Sequence, residues 1–256
     1  MEIINIIIET YSHFFDLKMW IDLFSNPVSW GLIATLVFME GLLSADNAIA
    51  LAVQVKHLPE RQRKKALMYG LWGAYLFRML AIGVGTLLVK LWYIKVIGAL
   101  YLIFLAAKFY IEYFAEKKRK QQAVEGEEVE SAQKLGFLAR YIGVFWATVL
   151  SVELTDVAFS IDSVLAAFGI SEHIGILLIG GFIGILMMRG VAQIFTKLMD
   201  NVPELEHTAY IIVGFIGVKM LLTLIDIHIS HAVFFGFILT LIALTFVINR
   251  LKTNKQ

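Results

Sequence analysis

The chain has 256 residues, of which 59% are hydrophobic and 17% charged, against about 45–50% and about 25% in an ordinary soluble domain; the balance is that of a membrane protein. A net charge of +1 lacks the concentrated basic face that nucleic-acid binding needs, so no nucleic-acid partner is expected. The absence of cysteine excludes disulfides and thiolate metal sites, leaving carboxylate, amide and imidazole atoms as the available ligands.

Residues 1–27 are apolar but interrupted by Glu2, Glu9, His13, Asp16, Lys18 and Asp22. These charges recur too often for a span, so the segment reads as an interfacial helix ended near Pro27, with a short first span as the alternative. It has neither the basic start nor the unbroken apolar core of a secretory signal. Seven later stretches meet the roughly 20-residue apolar requirement of a spanning helix: 28–55, 66–89, 94–114, 141–168, 174–198, 208–226 and 231–249. The expected fold is an all-α membrane protein of seven transmembrane helices. The first and fourth stretches are long and contain acids, which predicts helices tilted or interrupted inside the bilayer.

Basic loops set the orientation. Lys56, Arg61, Arg63, Lys64 and Lys65 lie in "KHLPERQRKK", the 115–140 linker holds "EKKRK" with Lys134 and Arg140, and the tail carries Arg250, Lys252 and Lys255. Seven spans put all three on the cytoplasmic side of a cell membrane, with the N-terminus outside. The linker, basic first and then acidic ("EGEEVE"), reads as a solvated connection.

An internal repeat divides the rest into 28–114, 141–226 and a seventh helix with tail, 227–256. At an offset of 116 residues, "EGLLSADNAIALA" lies on "DVAFSIDSVLAAF": Glu40 on Asp156, Ser44 on Ser160, Asp46 on Asp162 and Asn47 on Ser163. In the next span Gly70, Gly73 and Arg78 match Gly181, Gly184 and Arg189, and Gly98 matches Gly214 in the third. Three spans is an odd number, so the second copy enters the membrane from the opposite side. Inverted repeats of this kind occur in secondary transporters, with the site at the repeat interface. The seventh helix has no counterpart and is assigned to packing or oligomer contact.

Five acids lie inside spans: Glu40, Asp46, Glu153, Asp156 and Asp162. Each charge at a helix centre costs about 2.5–3.5 kcal/mol, so unpaired they would cost on the order of 10 kcal/mol in total. They must therefore face one another, face cations, or be protonated. On straight helices Glu40, Ser44 and Asn47 share a stripe, as do Glu153, Asp156, Ser160 and Ser163, while Asp46 and Asp162 point elsewhere. An unwound turn at "SADNA" would reunite them and free carbonyls as ligands. Carboxylates, an amide and hydroxyls form a hard oxygen set suited to Mn²⁺, Ca²⁺ or Mg²⁺. The candidate metal residues are Glu40, Asp46, Asn47, Glu153, Asp156 and Asp162, with Ser44, Ser160 and Ser163 as secondary ligands. No Walker, HExxH or CxxC sequence is present, so ion gradients must drive transport, spare carboxylates could carry protons, and neither a resident cofactor nor an enzymatic activity is expected.

Arg78 and Arg189 are mid-span bases at matched positions. Structurally each would pair with an acid or cap carbonyls; functionally each would gate, taking over the carboxylate when metal leaves. Lys219 is a similar case, whereas Lys90 and Lys95 read as residues of an outer turn. His13, His57, His173, His207, His228 and His231 fall in loops or at span ends and are expected to be solvated; a weak exit site at His228, His231 and Asp226 is the alternative. Gly83, Gly85, Gly180, Gly181 and Gly184 are expected to allow close helix packing, and the tryptophans to form interfacial belts.

"FMEGLLSADNAIALA" together with "SVELTDVAFSIDSVLAA" resembles the signature pair of the TerC membrane family, over roughly residues 28–226. The resemblance implies manganese efflux, including supply of metal to exported enzymes, with the acidic positions at Glu40, Asp46, Glu153, Asp156 and Asp162 and Asn47 alongside. Other readings are a Ca²⁺ or other cation exchanger, an intramembrane aspartyl protease using Asp46 and Asp162, and a membrane scaffold. Expected partners are the metal ion, the bilayer, and either further copies of the chain or exported metalloenzymes and their secretion machinery.

Overall fold

The computed structural model describes residues 11–12, 15–83, 92–122 and 137–253. Among them every regular element is helical: α1 Leu17–Ser25, α2 Pro27–Leu43, α3 Ala45–Lys56, α4 Glu60–Gly83, α5 Trp92–Gln122, α6 Phe137–Phe168, α7 Ile174–Asn201, α8 Glu204–Thr223 and α9 His231–Thr253. Helices α4 to α9 are each long and apolar enough to cross a membrane, and α1 with α2 passes the same test as a bent pair. The chain is an all-α membrane protein with about seven spanning helices. Several sequence expectations fall outside the described residues: the segment 1–10 and His13, the turn with Gly85 and Lys90, the acidic part of the linker with Lys134, and Lys255.

Two caps shape the entry to the bundle. Asp16 accepts hydrogen bonds from the backbone N–H of Lys18 (2.9 Å) and Met19 (3.4 Å) to start α1. Asn26 ends α1 and opens α2, accepting from the Val28 N–H at 2.9 Å with Pro27 at the first helical position. The two helices meet at 88°, so α1 lies across the axis of α2, the attitude of an interfacial helix. It buries Leu23 against Ile33 and Leu36 of α2 and Ile176 and Leu177 of α7.

The expected first span is two helices broken at Ser44 (φ −104°, ψ 7°). The 17 residues of α2 reach about 26 Å. Every residue of α3 from Asp46 to Val55 is buried, so this half-helix is enclosed by protein rather than presented to lipid. The interruption occurs in one repeat only. In the other, Asp156 and Asp162 lie on a continuous stretch of α6, whose non-helical residue is Gly143 (φ +80°, ψ 158°), a conformation natural to glycine.

Local chemistry accounts for the difference. The Asp46 carboxylate accepts the N–H of Asn47 at 3.0 Å, a local bond that competes with the helical ladder, whereas the Ser163 hydroxyl donates back to the Ser160 carbonyl at 3.2 Å, which a helix accommodates. The expected release of carbonyls does not extend to Ser44. Its N–H reaches the Glu40 carbonyl at 2.8 Å, and its own carbonyl accepts from Ala48 at 3.1 Å.

The packing is symmetric under exchange of halves. Helix α4 packs on α6 as α7 packs on α2 and α3; α5 meets α6 as α8 meets α3; α4 touches α7, and α5 touches α8. The helix contacts are thus the same when the two three-helix halves are exchanged. Helix α9 joins through α8.

Candidate functional site

The break at Ser44 puts Asp46 in the first turn of α3, where unsatisfied N–H groups and the helix dipole favour a carboxylate. Its Oδ2 also accepts from Lys219 Nζ of α8 at 3.1 Å, and that ammonium stands 3.9 Å from the ring centroid of Phe234 on α9. At the matching place in the second repeat, Asp162 of α6 pairs with Lys95 of α5. The other two matched acids find arginines. Arg78 of α4 donates to Glu40 Oε2 and to Ser163 Oγ, both at 2.7 Å. Arg189 of α7 pairs with Asp156.

Four carboxylates thus meet four bases in two symmetric sets. Each arginine pair lies within one repeat: Glu40 with Arg78, Asp156 with Arg189. Each lysine pair crosses between repeats: Asp46 with Lys219, Asp162 with Lys95. Pairing of this kind removes the penalty of isolated charge in an apolar medium, the second of the three ways of tolerating such acids.

Other candidates are less closely gathered. The Ser44 hydroxyl stands 3.5 Å from Glu40 Oε1. Asn47 and Ser160 are buried, but neither joins a carboxylate cluster by its side chain. Glu153 is half-buried, and among the described residues no base lies in ion-pair range of it; it lines an apolar groove with Ile142, Trp146, Val149 and Leu150. Among the described residues no three Asp, Glu or His side chains are placed to hold one metal ion. As a metal centre, then, the predicted constellation is not gathered in this conformation; four of its five acids are taken up by bases instead.

The matched glycines have a role beyond the helix packing expected of them. A methyl group at Gly181 would lie 2.8 Å from Arg78 Nη2, and one at Gly184 would lie 2.7 Å from Glu40 Cβ. Their counterparts do the same for the other half: Gly70 faces Arg189 Nη2 at 3.2 Å, and Gly73 faces the Glu153 carboxylate. Each glycine clears space for a charged side chain, and all four do so for a residue of the opposite repeat.

Sequence reasoning missed Lys95, taking it for a turn residue because it stands near the start of a span. Counting charges could have found it: four matched acids need four bases, and Arg78, Arg189 and Lys219 are only three. It also missed a buried amide–hydroxyl pair across the interface, Gln54 Nε2 to Thr155 Oγ1 at 3.1 Å. At the basic-loop end, Lys56 and Arg63 both reach Asp200 at the end of α7, and His57 Nε2 stands 2.9 Å from Thr148 Oγ1 on α6.

The profile of the integral membrane protein TerC family matches residues 25–256. The chain is 52% identical over 256 residues to the membrane protein YceF of Bacillus subtilis, covering 100% of this chain and 96% of that one. It is 40% identical over 209 residues to YkoY of the same organism, covering 75% of this chain and 60% of YkoY. It is 29% identical over 210 residues to the chloroplastic thylakoid membrane protein TERC of Arabidopsis thaliana, covering 75% of this chain and 54% of the plant protein. No solved structure matches.

Proposed function

The chain belongs to the integral membrane protein TerC family, and from that premise we propose that it is a secondary transporter exporting a divalent cation through the carboxylates held between its repeats. The favoured substrate is Mn²⁺, with Ca²⁺ the nearest alternative. One observation carries the reading: Glu40, Asp46, Asp156 and Asp162, at matched repeat positions inside apolar helices, are each neutralised by a base where the halves meet. Well-packed apolar residues would stabilise such a core as well or better, so the charges are best explained by cation handling.

Glu40, Ser44, Asp46 and Asn47 around the helix break, with Asp156, Asp162 and Ser163 opposite, supply the hard oxygens Mn²⁺ takes. Binding requires the bases to yield. The described arrangement is accordingly read as the ion-free carrier, with amines and guanidiniums holding the acids until metal arrives. Proton exchange through a carboxylate such as Glu153 is the coupling we favour, and delivery of metal to exported enzymes is the physiological role it would serve. No enzymatic role is assigned: a protease dyad must share a proton between two aspartates, whereas Asp46 and Asp162 each answer to a separate lysine.

The placement in the cell membrane has the N-terminus outside and the C-terminus in the cytoplasm. The contacts of Lys56 and Arg63 with Asp200 support the shared side it gives the first basic loop and the end of α7, and the basic loops support which side that is. Purified full-length protein in proteoliposomes should move ⁵⁴Mn²⁺ down its gradient, and Asp46→Asn or Asp162→Asn should reduce the rate at least tenfold. Undiminished transport in either variant overturns the assigned site.

A further inference from the structure

We infer that Lys219 and Lys95 are tethered stand-ins for the transported cation, each seated on a carboxylate of the opposite repeat when no ion is bound so that the empty carrier can reorient. The inference rests on the transport reading above, and three observations carry it.

The first is connectivity. Alternating access in inverted-repeat carriers is largely a rigid movement of one repeat against the other. Such a movement leaves Glu40–Arg78 and Asp156–Arg189 whole, because both partners travel together. It separates Asp46 from Lys219 and Asp162 from Lys95, because each pair spans the moving boundary. The hydrogen bond from Arg78 to Ser163 also crosses the boundary, but its loss leaves the arginine still paired with Glu40.

The second is how firmly each base is held. The arginine side chains are 1% and 3% exposed and sit against Gly181 and Gly70, where a larger residue would meet them. The lysines are more open, at 20% and 14%. A lysine presents a point charge on a flexible stem, without the rigid fork that locks a guanidinium in place. Lys219 has a second seat beside it, the face of Phe234, which can hold an ammonium released by its carboxylate.

The third is that the two matched pairs stand in unlike surroundings. The Asp46 side chain is 6% exposed and that of Asp162 is 53%. Both pairs are made, one enclosed and one open to its surroundings, so each lysine holds its carboxylate in either setting.

The test separates carrier return from ion movement. Full-length protein and its Lys219→Met, Lys95→Met and Lys219→Arg variants are placed in proteoliposomes. Two rates are measured: efflux of ⁵⁴Mn²⁺ into metal-free buffer, which needs the empty carrier to return, and exchange of ⁵⁴Mn²⁺ against unlabelled Mn²⁺, which does not. In both methionine variants the ratio of net efflux to exchange should fall at least tenfold, and Lys219→Arg should restore it to within threefold. A parallel fall of both rates, or an unchanged ratio, overturns the inference and leaves the lysines structural. A wild-type protein that moves ⁵⁴Mn²⁺ in neither mode overturns the transport reading itself, an outcome distinct from an altered ratio.

Discussion

Removing Arg78 tests whether its pairing with Glu40 holds the first repeat together. The Arg78 side chain is 1% exposed and Glu40 is 9%; once the guanidinium is gone, the nearest remaining donor to the carboxylate is the Ser44 hydroxyl at 3.5 Å, beyond a good hydrogen bond. Arg78→Met therefore strands a buried charge, a change that costs about 3–5 kcal/mol. Glu40→Gln strands the guanidinium, with Ser163 as its strongest remaining partner, at a cost of similar size. The double variant replaces the charged pair with a neutral one and should cost about as much as one single change rather than the sum of two, a coupling of at least about 2 kcal/mol. Reversible unfolding of the four proteins in mixed detergent micelles closes the cycle. Additivity within about 0.5 kcal/mol, or a cost below about 1 kcal/mol for Arg78→Met, refutes the argument that this pair is buried and mutually dependent.

The glycine seats make a second prediction: Gly181→Ala and Gly184→Ala should each destabilise by about 1–3 kcal/mol through overpacking, read by the same unfolding assay. Gly190→Ala on the same helix, where an added carbon meets nothing within 4 Å, should be neutral or stabilise by up to about 1 kcal/mol through helix propensity. A third concerns orientation, and the cysteine-free chain makes it direct. Single cysteines at Glu172→Cys and Ser230→Cys should react with an impermeant maleimide on intact cells, whereas Gln62→Cys should react only after permeabilisation; the reverse pattern inverts the assigned topology.

The helical architecture was legible because lipid imposes one rule on the whole chain: apolar runs of spanning length, with Pro27, Pro59 and Pro203 at helix starts. The repeat was legible because acid, serine and acid recur in order at a fixed offset, followed by glycine, glycine and arginine. What pairs with what was not. Glu40 and Arg78 stand 38 positions apart, Asp46 and Lys219 stand 173 apart, and only the packing of the halves brings them together. The break expected at "SADNA" falls at Ser44, but it turns Asp46 to Lys219 of α8 rather than back to Glu40, and α6 stays continuous from Asp156 to Ser163. Arg78, Arg189 and Lys219 were legible as bases set to pair with or gate the acids; that Lys95 completes the set was not, because it stands near the start of a span.

The repeats share their motif, yet they stand in different states. In the first repeat Arg78 reaches both Glu40 and Ser163, whereas in the matched pair Asp156 Oδ1 and the Arg189 Nε and Nη1 atoms are buried without partners among the described residues. One matched aspartate opens a broken helix, and the other lies in an unbroken one. The difference follows from sequence: Asn47 stands where the second repeat has Ser163, and the Asp46 carboxylate takes the Asn47 N–H while Ser163 bonds back into its own helix. On the transport reading proposed above, such unlike halves would exchange roles as the site changes sides. The four pairs supply the parts for that exchange, two that hold each half together and two that join the halves.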